Sequence, residues 1–179
     1  MNTVRIIGGS FRRRLLKFPD SEGLRPTPDR VRETLFNWLG QTLDGLHCLD
    51  LFAGSGALGF EAASRGATRV VMVEKSPRVL AALQENHALL QKPPAVEIVR
   101  GDALQYLVST NAKFDLIFLD PPFQSGWIGR LESLLPAVLN ENAAIYVEAE
   151  HEITSLGDWR THRQGKAGEV HFHLLRRTA

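Results

Sequence analysis

The sequence predicts an α/β fold, a mostly parallel sheet covered by helices and preceded by an N-terminal β-hairpin and helix. Three observations carry this. From residue 46 onward, short apolar runs alternate with helical stretches at the spacing of βαβ units. The first of these runs opens into a glycine loop, and the fourth stops abruptly at Asp120-Pro121-Pro122-Phe123. At 179 residues with 44% hydrophobic composition, the chain is long enough for one domain with a real core and too short for two. The expected division is a 1–40 appendage that contacts a polyanion and a 41–179 ligand-binding body.

Residues 4–7 and 11–16 read as two strands around Gly8-Gly9, with Arg12 and Arg14 on one strand face and Arg13 on the other. Arg25-Pro26-Thr27-Pro28 is extended, and Thr27 followed by Pro28 and Asp29 is a helix start. That helix should run to residue 39 and bury Val31, Leu35 and Trp38. Strands are expected at 47–52, 69–74, 96–99, 114–120 and 144–148. Helices are expected after Ala57 and at 77–90, 104–108 and 128–139. Residues 170–174 alternate as a last strand, paired with 159–163.

The charge is +1 overall, but residues 1–38 carry eight Lys/Arg against four Asp/Glu, so the basic excess is N-terminal. A compact body with a basic arm suits a polyanionic partner. Arg5, Arg12, Arg13, Arg14, Arg25, Thr27, Arg30 and Arg32 are the candidate contacts; charged edge and helix positions also occur without any such role. Cys48 is a lone thiol, expected to be buried and inert. With no disulfide framework, no long apolar span and no signal peptide, the expected setting is the cytoplasm. The six histidines show no ligand spacing, so no metal is expected.

After the first strand, Asp50-Leu51-Phe52-Ala53-Gly54-Ser55-Gly56-Ala57-Leu58-Gly59 contains G-x-G-x-x-G, and Glu74 lies about 20 residues on, at the end of the second strand. Alone, this fits a dinucleotide site as well as any other. Asp50 separates the readings, because a carboxylate at that strand end would repel a pyrophosphate. It would suit S-adenosylmethionine, with its ammonium and sulfonium. Glu74 would accept the ribose hydroxyls and Asp102, in Gly101-Asp102-Ala103, would border the adenine; a bare helix cap is the other reading of Asp102. Phe52, Ala53, Ser55, Lys75 and Ala103 complete the expected cofactor shell.

The exocyclic amine of a nucleobase is a poor nucleophile because its lone pair is delocalised. Accepting its two hydrogens on the Asp120 carboxylate and the Pro121 carbonyl would localise that pair toward a methyl donor. Pro122 would stiffen the turn, and Phe123 would stack on the base.

These residues, with Arg5-Ile6-Ile7-Gly8-Gly9 and the run 24–39, LRPTPDRVRETLFNWL, resemble one family: the bacterial 16S ribosomal RNA guanine-N2 methyltransferases acting on guanine 966. The match extends to Tyr146-Val147-Glu148, and residues 151–168 match less clearly. The resemblance implies a Rossmann-like, class I S-adenosylmethionine-dependent methyltransferase with a seven-stranded sheet. It also implies an RNA-engaging hairpin, and as substrate the small ribosomal subunit or its assembly precursor; a monomer without membrane attachment is expected. A base-amine methyltransferase acting on another RNA or on DNA stays open. So do a nicotinamide-dependent oxidoreductase, which leaves Asp50 and 120–123 unexplained, and a non-catalytic RNA-binding module.

Overall fold

A computed structural model describes residues 1–123 and 125–177; residues 178 and 179, the end of the expected second segment, lie outside the described residues. A hairpin of β1 (Asn2–Arg5) and β2 (Leu15–Phe18) leads to α1 (Asp29–Leu39). There follow β3 (His47–Asp50), α2 (Ala57–Ser64), β4 (Arg69–Glu74), α3 (Pro77–Leu89), β5 (Val96–Arg100), α4 (Ala103–Ser109) and β6 (Phe114–Leu119). The chain ends with α5 (Trp127–Leu131), a 3-10 turn (Leu135–Val138), β7 (Leu139–Ala149), β8 (Ser155–Leu156), β9 (Trp159–Ala167) and β10 (Val170–Arg177).

The main sheet runs β5-β4-β3-β6-β7-β10-β9-β8. Pairing from β5 through β7 is parallel, and β10, β9 and β8 add on antiparallel to their neighbours. The strands run as continuous apolar stretches because both faces are covered. Along β4, Val70 and Met72 enter one core, while Val71 and Val73 enter the other. The first core takes α1, α2 and the hairpin; the second takes α4, α5 and the 3-10 turn.

The hairpin is bonded into the body. Val4, Ile6, Leu16 and Phe18 belong to the first core. The Asn86 side chain accepts from the Lys17 amide at 3.0 Å and donates to its carbonyl at 2.8 Å, so α3 mimics a strand edge. Gly9 (φ 79°) stands so close to α2 that an added Cβ would lie 1.9 Å from the Ser64 carbonyl oxygen, which explains why only glycine serves there.

Five expectations need correction. Among the described residues the sheet has eight strands, not seven, because β8 pairs with the start of β9. Arg12, Arg13 and Arg14 are not in a strand but in the connection between β1 and β2, with Arg13 left-handed at φ 74°; alternation therefore does not order them. Thr27 does not cap α1: Pro28 occupies that position, and no side chain supplies the bond. Trp38 is only half-buried and stacks on Phe172, with ring centroids 5.5 Å apart. Finally, the helix expected over 128–139 stops at Leu131 and gives way to the 3-10 turn. Pro136 has no amide to donate, and its ring would strike the carbonyl four residues back.

Candidate active site

The carboxyl ends of β3, β4, β6 and β7 bring Asp50, Glu74, Asp120 and Glu148 to one edge of the sheet. Crevices at this edge are where open α/β sheets bind ligands. The glycine loop closes over it. Gly56 holds φ 85° at the start of α2, and a Cβ there would meet Phe60 at 2.6 Å and Leu83 at 2.8 Å. That glycine thus serves internal packing as well as any ligand approach.

Asp50 is 1% exposed and accepts from the Gly59 amide in the first turn of α2 at 3.0 Å. Burial pushes its carboxyl up to about 7; the Gly59 bond opposes this, and the charges of Glu74 and Glu148 add to it. Glu74 accepts from the Gly54 amide at 3.0 Å and, on its other oxygen, from the Ser76 amide at 2.9 Å. It thereby ties the loop to the start of α3. Asp102 caps α4 by accepting from Leu104 at 2.9 Å and Gln105 at 3.3 Å. Ala103 is buried as the first residue of that helix.

Around these, the Ala53 amide donates to the Val73 carbonyl at 3.0 Å, and Ser55 Oγ accepts from the Ala57 amide at 3.3 Å. Phe52 packs edge-on against Trp127, at 5.2 Å between centroids. Lys75 is exposed. Asp120 is half-buried at the rim, Pro121 is buried, Pro122 is exposed, and Phe123 is 45% exposed. Burial raises the Asp120 carboxyl well above the ordinary range, and the neighbouring charges of Glu148 and Asp50 raise it further.

Glu148 and Tyr146 were in the sequence only as part of a resemblance, with no role. Here Glu148 is 5% exposed and accepts from the Thr27 hydroxyl at 2.5 Å and the Tyr146 hydroxyl at 3.0 Å. The readable signal was a Tyr-x-Glu at a strand end, which alternation puts on one face.

The segment before α1 leans over the site as expected. Leu24 covers Gly54, its Cδ1 2.8 Å from where a Cβ would stand. Among the arginines, Arg12, Arg13, Arg25 and Arg30 are exposed. Arg5 is exposed and pairs with Asp29 at 3.6 Å. Arg14 donates to the Leu89 carbonyl at 2.7 Å. Arg32 and Thr27 must be withdrawn as direct RNA contacts, because they are 0% and 4% exposed. Arg32 is committed to Glu61 at 3.1 Å, to Asp29 and to the Thr27 and Arg5 carbonyls. Arg12 helps line an open groove of about 570 Å³, with Gly8, Glu33, Asn37 and Arg65.

Cys48 is fully buried, and burial, with Asp115 and Asp50 nearby, pushes its thiol up to about 12. Among the described residues, no His/Cys/Asp/Glu group is arranged to hold a metal ion, and no helix is long and apolar enough to cross a membrane.

The carboxylates predict a pH dependence. Asp50 binds its proton more tightly folded than unfolded, so its contribution is full below the unfolded value near 4 and is lost as pH rises through about 7. Asp120 and Glu148 are raised and act in the same sense. His173, held down by burial, acts oppositely, costing stability as pH falls below its ordinary range. Asp50→Asn keeps an acceptor for Gly59 without the charge. It should raise the urea midpoint of the free protein near pH 8 and leave it almost unchanged near pH 4.

The family described as Conserved hypothetical protein 95 matches residues 4–176. Ribosomal RNA small subunit methyltransferase D of Escherichia coli strain K12 is 44% identical over 98% of this chain and 91% of its own length. The Haemophilus influenzae protein of the same name is 41% identical over 96% of this chain and 92% of its own. The solved Escherichia coli yhhF structure superposes with a TM-score of 0.89 at 42% identity, covering 99% of both chains. Matches of this length reach from the hairpin through β10 and include every residue placed at the rim. The chain belongs to the family of ribosomal RNA small subunit methyltransferase D.

Proposed function

We propose that the protein transfers the methyl group of S-adenosylmethionine to the exocyclic N2 amine of guanine 966 in 16S rRNA, within the small ribosomal subunit or its precursor. The observation that carries this is Asp120 at the end of β6, followed by a two-proline turn and an exposed Phe123, in a chain of this family.

The residues present suit the cofactor. Asp50, Asp120 and Glu148 crowd three carboxyls together, two buried and one at the rim, which a ligand with two positive centres would relieve. Glu74 and Asp102 would take the ribose and adenine edges, with Phe52, Ala53, Gly54, Ser55, Gly56, Gly59, Lys75 and Ala103 around them. S-adenosylmethionine supplies an electrophilic methyl group on sulfur. Asp120 and the Pro121 carbonyl accept the two amine hydrogens, directing the nitrogen lone pair, and Asp120 takes the proton that leaves. Phe123 stacks on the guanine, Pro122 keeps the turn rigid, and orientation contributes the rest.

Labelled S-adenosylmethionine and small subunits lacking this modification test the reading. Digestion should yield N2-methylguanosine mapping to one position; another methylated nucleoside, or label in DNA alone, would overturn it.

The hairpin, the lead-in to α1 and the first turn of that helix supply the RNA contacts, through Arg5, Arg12, Arg13, Arg14, Arg25 and Arg30. Deleting the hairpin would strip Ile6 and Leu16 from the core, so point substitutions are the appropriate probe. Arg12→Ala with Arg25→Ala should lower the salt dependence of RNA binding by about one unit of log–log slope per lost phosphate contact, without changing S-adenosylmethionine affinity. An unchanged slope removes both arginines from the interface.

A further inference from the structure

Glu148 has no part in the amine activation just described, yet it is buried at the rim and held by two side-chain hydroxyls. One of its oxygens accepts from two hydroxyls, Thr27 at 2.5 Å and Tyr146 at 3.0 Å. The register of β6 and β7 sets Phe118 beside Tyr146 and Leu119 beside Val147. Continued one rung, it sets Asp120 beside Glu148, on the face that carries Phe118 and Tyr146. Beyond burial, the charges of Glu148 and Asp50 both raise the Asp120 carboxyl. Thr27 reaches this point from the segment before α1, its carbonyl held by Arg32 Nε at 3.0 Å.

We propose that Glu148 is a positioning residue for the methyl transfer: clamped by the hydroxyls of Thr27 and Tyr146, it stands beside Asp120 and ties residues 25–28 to the catalytic carboxylate. This rests on the role given to Asp120 above. The clamp has two ends with different duties. Tyr146 belongs to the same strand as Glu148 and fixes its rotamer. Thr27 belongs to the segment that covers the glycine loop, between the exposed arginines 25 and 30. A shift of that segment on RNA binding would reach Glu148 through one hydroxyl, with no rearrangement of the sheet.

The charge on Glu148 then acts on Asp120. The groups facing the pair are Asp50 from β3, Tyr146 from β7, and, behind Thr27, Arg32 and Asp29 from α1, with Glu61 of α2 bound to Arg32. On β10 the neighbour of Glu148 is Phe172, which carries no charge. Glu148→Gln removes one negative charge beside Asp120 and still offers an oxygen to both hydroxyls. Asp120 should then release its proton at lower pH.

The titration of the Asp120 carboxyl, followed by carbon-13 NMR in the free protein, reads this without any catalysis. Its midpoint should fall by about one unit in Glu148→Gln, and the acid limb of the kcat/KM profile for RNA should move the same way. Thr27→Val should lower kcat roughly tenfold, the worth of one hydrogen bond to a charged group, at unchanged S-adenosylmethionine affinity. Thr27→Ser should restore it. A midpoint that does not move, a limb that stays while the midpoint moves, or a Thr27→Val enzyme as fast as the wild type overturns the proposal. Failure of the wild-type protein to methylate RNA would instead refute the assigned reaction, and the NMR midpoint would still decide whether Glu148 acts on Asp120.

Discussion

Asp120→Ala should lower methyl transfer by about 10²- to 10⁴-fold while S-adenosylmethionine binds within a few-fold of the wild-type affinity. The expected split follows from where the carboxylate lies. Asp120 ends β6 at the rim, and none of the bonds that fix the glycine loop depends on it: those belong to Asp50 and Glu74. Removing it takes away an acceptor for the amine and the group that receives the proton, and leaves the cofactor cradle in place. Relief of charge repulsion from Glu148 and Asp50 should even make the free protein somewhat more stable near neutral pH. Single-turnover transfer and calorimetric titration together check the split. Transfer within a few-fold of wild type would remove amine activation from Asp120, and a parallel collapse of cofactor affinity would reassign the residue to binding.

The fold was legible because its signals are local. The run Arg69–Glu74 is apolar and β-branched, bounded by turn residues, and became β4 with the expected ends. The site residues were legible for a related reason, since strand ends and a glycine loop carry ligand chemistry at fixed places in such sheets. What could not be read was pairing across distance. Arg32 sits on a helix whose pattern fits an exposed arginine; that it turns inward depends on Glu61, 29 residues away, and on backbone carbonyls at 5 and 27. Thr27 has the residue type and position of a cap, and is drawn instead to Glu148, 121 residues later. The end of the helix expected over 128–139 is legible in the sequence, because Pro136 lies inside that span and marks where a helix cannot continue.

Glu61 carries the largest expected loss of stability, and its position shows why. It is completely buried in α2, a helix apolar on nearly every side because it lies between sheet and hairpin. One carboxylate oxygen accepts from the Ile7 amide at 2.9 Å and Arg32 at 3.1 Å; the other accepts from the Gly8 amide at 2.9 Å and Arg65 at 2.9 Å. Two backbone donors and two guanidinium groups thus share a single acceptor. Glu61→Ala leaves Arg32 as a buried cation with only the half-exposed Asp29 for a counter-charge, and orphans both amides at the turn of the hairpin. Breaking one side of a buried ion pair costs about 3–5 kcal/mol, a large part of the roughly 5–15 kcal/mol that holds a domain folded. Asp29→Asn, which cuts the partly exposed arm of the same network, should cost less than about 1 kcal/mol. Urea unfolding of the two variants checks the contrast. Near-equal midpoints would mean that water reaches Arg32 when Glu61 is gone, and that hydrophobic contacts, not this network, dock the hairpin.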